Sequence, residues 1–233
     1  PLAVTKAAVL YVLRCLVDEP IPLNAGCLAP IDLIAPLGSL VNPIAPAAVV
    51  AGNVETSQAI VNALFLALGT RAASQGTMNN VIFGNDSVQY YETLGGGTGA
   101  GPGFHGASAI HSDMTNSRLT DPEVFEQRLP ARITDMRIRP GSGGKGEYGG
   151  GDGLVRAFQF LEDVDVSLLS SNRSETPAGL AGGGDGASGR NLLRRQGQTR
   201  ALPGSADFQA RAGDTLEIQT PGGGGFGPPI ATD

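Results

Sequence analysis

Apolar residues along the first third of the chain switch between helical spacing and short runs broken by proline. In PLAVTKAAVLYVLRCLVDEP the spacing predicts an amphipathic helix with Val9, Leu13, Leu16 and Val17 on one face. Pro20 and Pro22 then end the helix and impose extended backbone. In APIDLIAPLGSLVNPIAPAAVVAGN prolines recur every few residues. Its apolar runs predict brief strands or extended segments tied down in a core. Asn53 is placed to cap a second helix, with Ile60, Val61, Leu64, Phe65 and Leu68 as its apolar stripe. That helix ends near Gly69 or at Gly76.

The period changes from Asn79 onward. NNVIFGNDSVQYYETL predicts two strands joined at Gly84-Asn85-Asp86. Beyond Pro130, the stretches ARITDMRI, LVRAFQFL, VDVSLLSS and DTLEIQT show alternation or β-branched runs. Gly-rich loops at 141–153, 179–189 and 222–227 separate them. Their flanks do not match one another, so a repeat architecture is excluded. The expected class is α+β: an N-terminal part (1–130) of helices with short strands and an antiparallel β-rich C-terminal part (131–233).

Composition narrows the functions available. The 233 residues contain 35 glycines and 16 prolines, nearly twice the usual combined share. They show no three-residue period, which excludes collagen. A net charge of −6, with no basic run, argues against nucleic acid. Cys15 and Cys27 form neither a disulfide framework nor a zinc pattern, and read as buried thiols in a reducing cytoplasm. Lys6 and Arg14 interrupt the first apolar run, which is too short to span a bilayer and is not built as a signal peptide. A start at Pro1 reads as a piece of a longer protein.

Against this weakly charged background, HSDMTNSRLTDPEVFEQRLP (111–130) concentrates polar chemistry, and the chain's two histidines, His105 and His111, lie close together at its head. Six-residue spacing between them does not match a helical metal pair, and no metal ligand is assigned. In extended backbone His111 and Asp113 would share a face, an arrangement suited to a general base. Asp121-Pro122-Glu123 reads as a capped helix start, in which Glu123 and Glu126 favour the dipole and pair with Arg118 and Arg128. Structure and catalysis both explain the stretch. The glycine cluster GGGTGAGPG (95–103) reads first as tight turns and second as a wall that shapes a ligand. It lacks the Gly-Lys-Ser/Thr of a phosphate-binding loop, and Lys145 in the next cluster is followed by Gly146.

Several stretches in order resemble the hydantoinase B/5-oxoprolinase family, at the C-terminal end of its ATP-dependent members. They are PLNAGCLAPI, PLGSLVNPIAPAAVVAGNVETSQ, ASQGTMNN, YYETLGGGTGAGPG, MTNSRLTDPEVFEQRLP, RPGSGGKGEYGGGDGLVR and TPGGGGFG. The resemblance implies an amidohydrolase that opens a cyclic amide, 5-oxo-L-proline to L-glutamate. ATP with Mg2+ would be bound by a hydantoinase A-like subunit or domain, which activates the unreactive lactam. A divalent metal with His and Asp ligands would belong to the upstream part of the hydantoinase B half. Two positions depart from the family pattern. Asp113 stands where members commonly have His, and Ser174 follows Arg173 where they often have a second arginine.

From the resemblance come expected roles. His111 and Asp113 handle protons, with Glu123 orienting the site. Asn116 and Arg118 hold the substrate carboxylate or phosphate. Gly97, Thr98 and Gly99 offer backbone donors to an oxyanion. The setting implied is a cytoplasmic homo- or hetero-oligomer, without nucleic acid or membrane. Rival readings are a hydantoinase or N-methylhydantoinase B subunit, an acetone-carboxylase-like subunit, and a non-catalytic scaffold for the catalytic half.

Overall fold

A computed structural model describes residues 2–229. Helix α1 (Leu2–Leu16) lies against α2 (Thr56–Ala67), burying Ala8, Val12, Val61 and Phe65 between them. The buried face of α1 is Thr5, Ala8, Val9 and Val12, while Leu16 and Val17 are exposed. The predicted face was therefore rotated. Alanine and threonine permit close helix approach, and hydropathy alone underweights them. Helix α2 ends as expected at Gly69, which takes a left-handed φ of 68°. Its cap is not Asn53, which closes a 3-10 turn, Val50–Asn53. Glu55 occupies the cap position and turns its carboxylate to other partners.

The prolines of 29–53 do not frame strands. The segment is irregular, and Ile34, Leu37, Leu40 and Val50 project outward, Ile34 being 88% exposed. Proline removes the N–H groups that sheet pairing needs. Both cysteines also depart from expectation, with Cys15 exposed and Cys27 only partly buried.

Two antiparallel sheets and helix α3 (Pro122–Arg128) form the rest of the fold. One sheet has the order β2-β1-β5-β8, from β1 (Asn80–Gly84), β2 (Gln89–Glu92), β5 (Val164–Leu169) and β8 (Ser205–Ala210). The other runs β3-β4-β9-β6-β7, from β3 (Ala131–Arg139), β4 (Gly153–Phe160), β6 (Arg190–Arg195), β7 (Gln198–Leu202) and β9 (Thr215–Gln219). The α+β class stands. Residue 130 does not divide the packing, because β1 pairs with β5 and Phe125 of α3 shares a core with Phe158 of β4. That core centres on Phe83, Phe125, Phe158 and Phe160, fully buried rings packed edge-to-face or tilted. Burying each contributes roughly 1.5–3 kcal/mol.

The glycine loops pack on one another. Extended segments from 95–103, 141–153, 179–189 and 222–227 bond side to side. Gly97 N–H donates to Pro221 O, Gly223 N–H to Gly151 O, Gly151 N–H to Thr98 O and Gly225 N–H to Gly184 O. A Cβ on Gly223 would lie 1.9 Å from Thr98 O, so the spacing admits only glycine.

Candidate active site

Segment 111–121 runs from the glycine layer, past α1 and α2, into α3, and its polar groups go to separate partners. His111 Nε2 lies 2.9 Å from Thr93 O. Asp113 has a left-handed φ of 56° rather than extended backbone, so its side chain leaves the His111 face. Arg71 Nη1 donates to Asp113 Oδ1 at 2.7 Å, and the Tyr11 hydroxyl donates to the same oxygen at 3.4 Å. The expected His111–Asp113 pair is therefore not formed. Arg71 is held in turn by the Phe65 ring, whose centroid is 4.0 Å below the guanidinium carbon.

Further along, Gln58 Nε2 donates to Ser112 O and Thr115 Oγ1, tying the segment to α2. Asn116 and Arg118 are exposed. Asp121 caps α3 as expected, accepting from the N–H groups of Glu123 and Val124. Glu123 sits exposed in the first turn of α3, away from His111 and Asp113 in partner and setting. The surface pairing expected of Glu126 is replaced by a bond from Ile133 N–H to its Oε1. No ion pair joins Arg118 or Arg128 to either glutamate among the described residues.

Two clefts flank the segment and share Ala7 and Met114. The first, about 360 Å³, opens between α1, the start of α2 and β2, and is lined by Ser57, Tyr91, Thr93, Asn116 and Ser117 among others. The second, about 390 Å³, lies between α1 and the 113–114 turn and carries Tyr11, Arg14 and Asp113 on otherwise apolar walls. Both volumes fall within the roughly 300–1,000 Å³ of small-molecule sites. Of the candidate site residues expected from the sequence, Asn116 and Asp113 line these clefts. Tyr11, Arg14, Arg71 and Tyr91 were missed. The one signal was Arg14, a charge inside an apolar helical run.

Behind the first cleft lies a buried polar hub. Glu55 Oε1 accepts from Thr77 Oγ1, Met78 N–H and Asn80 Nδ2, and its Oε2 accepts from Ser171 Oγ. Burial raises its pKa above the usual carboxylate value, an effect that these four donors oppose. Tyr91 donates its hydroxyl to Asn80 Oδ1, and burial followed by the Glu55 charge raises its pKa. Arg173 reaches Asn191 of β6, and Ser171 and Asn79 near the ends of β5 and β1. Burial pulls its pKa down to about 10, so the guanidinium remains charged at neutral pH.

The N–H groups of Gly97, Thr98 and Gly99 bond to Pro221 O, Ala107 O and Ser74 Oγ. None of these three is free to meet an oxyanion. Among the described residues no cluster of three His, Cys, Asp or Glu side chains forms, and no helix is long and apolar enough to cross a membrane.

Comparison with known proteins places the fold in a family. The chain is 51% identical over 231 residues to 5-oxoprolinase 1 of Arabidopsis thaliana, covering 99% of this chain and 18% of that protein. It is 47% identical over 228 residues to 5-oxoprolinase of Dictyostelium discoideum, again 18% of the relative. The chain thus spans under a fifth of the length of these relatives. The crystal structure of an ATP-dependent caprolactamase from Pseudomonas jessenii matches 96% of this chain and 43% of that one, with a TM-score of 0.84 and 23% identity, which shows the fold. The hydantoinase B/oxoprolinase profile matches residues 1–229. The chain belongs to the hydantoinase B/oxoprolinase family.

Proposed function

We propose that this chain is the C-terminal part of an ATP-dependent amidohydrolase that opens 5-oxo-L-proline to L-glutamate. The observation that carries the reading is the 51% identity to a 5-oxoprolinase along nearly the whole chain. The nucleotide and its Mg2+ belong to a hydantoinase A-like part; in keeping with this, many N–H groups of the glycine loops here, those of Gly97, Gly144, Gly151 and Gly223 among them, are bonded internally. The chain works with that part and with the upstream hydantoinase B part, in a cytoplasmic assembly.

Within the assembly, the two clefts beside 111–117 supply walls of the site where the amide is opened. Asn116 faces the substrate in the first cleft, and Arg118, exposed two residues on, adds positive charge at its margin. His111, fixed to Thr93 O, and Asp113, fixed to Arg71, hold the shape of this wall. Glu123 supports the start of α3 through the favourable placement of an acid in a first turn.

The test is glutamate release from 5-oxo-L-proline by the assembled protein, with and without ATP, with hydantoin alongside. Glutamate formed only with ATP supports the reading. Turnover of hydantoin alone moves the substrate and overturns it.

A further inference from the structure

We propose that the cleft between α1 and the 113–114 turn is the end of the substrate site that binds a small carboxylate-bearing lactam, with Arg14 on its carboxylate and Asp113 on its ring N–H. The proposal rests on the lactam-opening reading above and adds to it the residues that read the substrate's two polar ends.

Two atoms beside this cleft are shielded from solvent and have no hydrogen-bond partner among the described residues: Arg14 Nη1 and Asp113 Oδ2. Both residues line the cleft, and the Asp113 side chain is 0% exposed. A buried polar atom left without a partner is costly, and more so when it is charged. A guanidinium donor and a carboxylate acceptor on residues lining one cavity are complementary to a ligand with an anionic group and an N–H donor. A lactam acid has both, joined by a small apolar ring that suits Ala7, Leu10, Leu23 and Met114.

Charge balance agrees. Arg71 pairs with Asp113 through a 2.7 Å contact to Oδ1, and the other carboxylate oxygen is an acceptor. Arg14 then has no ion-pair partner among the described residues, and can take one carboxylate in a charge-assisted pair. Asp113 is also rigidly set. Its Oδ1 is bonded from two sides, its backbone is left-handed, and Arg71 is stacked on Phe65. Preorganised partners of this kind bind without an ordering cost.

Kinetics of the assembled protein with 5-oxo-L-proline and its neutral amide, 5-oxo-L-prolinamide, test the proposal. Arg14→Gln should raise KM for the acid about tenfold while leaving kcat and the KM for the amide within about twofold, and Arg14→Lys should recover part of the loss. Ala7→Trp, which fills the cleft from the exposed side of α1, should weaken both ligands. Equal effects of Arg14→Gln on acid and amide, or none on either, overturn the site. Calorimetric binding of 5-oxo-L-proline without ATP separates the two readings. Arg14-dependent binding with no turnover keeps the site and overturns the reaction. Turnover with an unchanged KM in Arg14→Gln keeps the reaction and overturns the site.

Discussion

Arg156 Nε and Glu92 Oε2 lie 3.1 Å apart at the heart of the aromatic core, with side chains 0% and 2% exposed. The two atoms are close enough to pair but are not aligned as a hydrogen bond. Arg156 is completed by Nη2 donating to Thr120 O, and Glu92 Oε1 accepts from Thr120 N–H. The pair therefore grips both backbone groups of Thr120, just before α3. The guanidinium also lies 5.5 Å from the Phe158 ring centroid.

Removing one member of such a pair strands the other charge. Glu92→Leu should cost about 3–5 kcal/mol, and the double variant Glu92→Leu/Arg156→Leu should regain part of it. Urea denaturation of the three proteins measures this. A double variant as unstable as the sum of its single variants would show that the charges act independently.

Glycine in the packed loops is a steric requirement. Gly223→Ala should destabilise severely, since its Cβ would meet Thr98 O at 1.9 Å, whereas the nearest atoms to a Cβ on Gly149 are 3.8 Å away. Gly149→Ala should change stability by no more than about 0.5 kcal/mol. Thermal unfolding of both variants separates close packing from generic loop flexibility.

Glu55 predicts a pH dependence. Its folded pKa is raised by burial, so the folded state binds its proton more tightly than the unfolded chain. That contribution is fully present below the unfolded value, about 4.3, and is lost as pH rises through the folded value. In this window stability should fall with pH by at most about 1.4 kcal/mol per unit. Glu55→Gln should flatten that slope. Denaturation across the window reads it, and an identical slope in the variant would assign the titration elsewhere.

At the proposed site, Asn116→Ala in the assembled protein should raise KM for 5-oxo-L-proline roughly five- to tenfold with little change in kcat. His111→Gln should keep kcat within about threefold, because the imidazole is engaged by the Thr93 carbonyl and lines neither cleft itself. A loss of kcat of about a hundredfold in His111→Gln would restore it to proton transfer.

The hairpin of β1 and β2 was legible because Asn85-Asp86 marks its turn between apolar runs, and β3, β4, β5 and β9 because their alternation is local. Strands β6 to β8 escaped notice. The Gln196-Gly197 turn, with both φ values positive, was the available sign, but the flanking RNLLRR and QTRAL are too polar to read as sheet. Asp121 as the α3 cap was also readable, since a cap depends on residues within one turn.

The sequence by itself determined the class, the family resemblance and the segment where polar chemistry gathers. Tertiary structure alone decided what those polar groups do. The 111–121 residues are bonded to Arg71, Gln58, Thr93 and Arg156, which lie far from them along the chain. The glycine clusters were ambiguous for a related reason. Cradling an anion and packing backbone on backbone both require a missing Cβ, and only the partners of the N–H groups distinguish them. Local pattern encodes an element's period and its ends, whereas the partner of a side chain depends on which distant segments the fold brings within 3 Å.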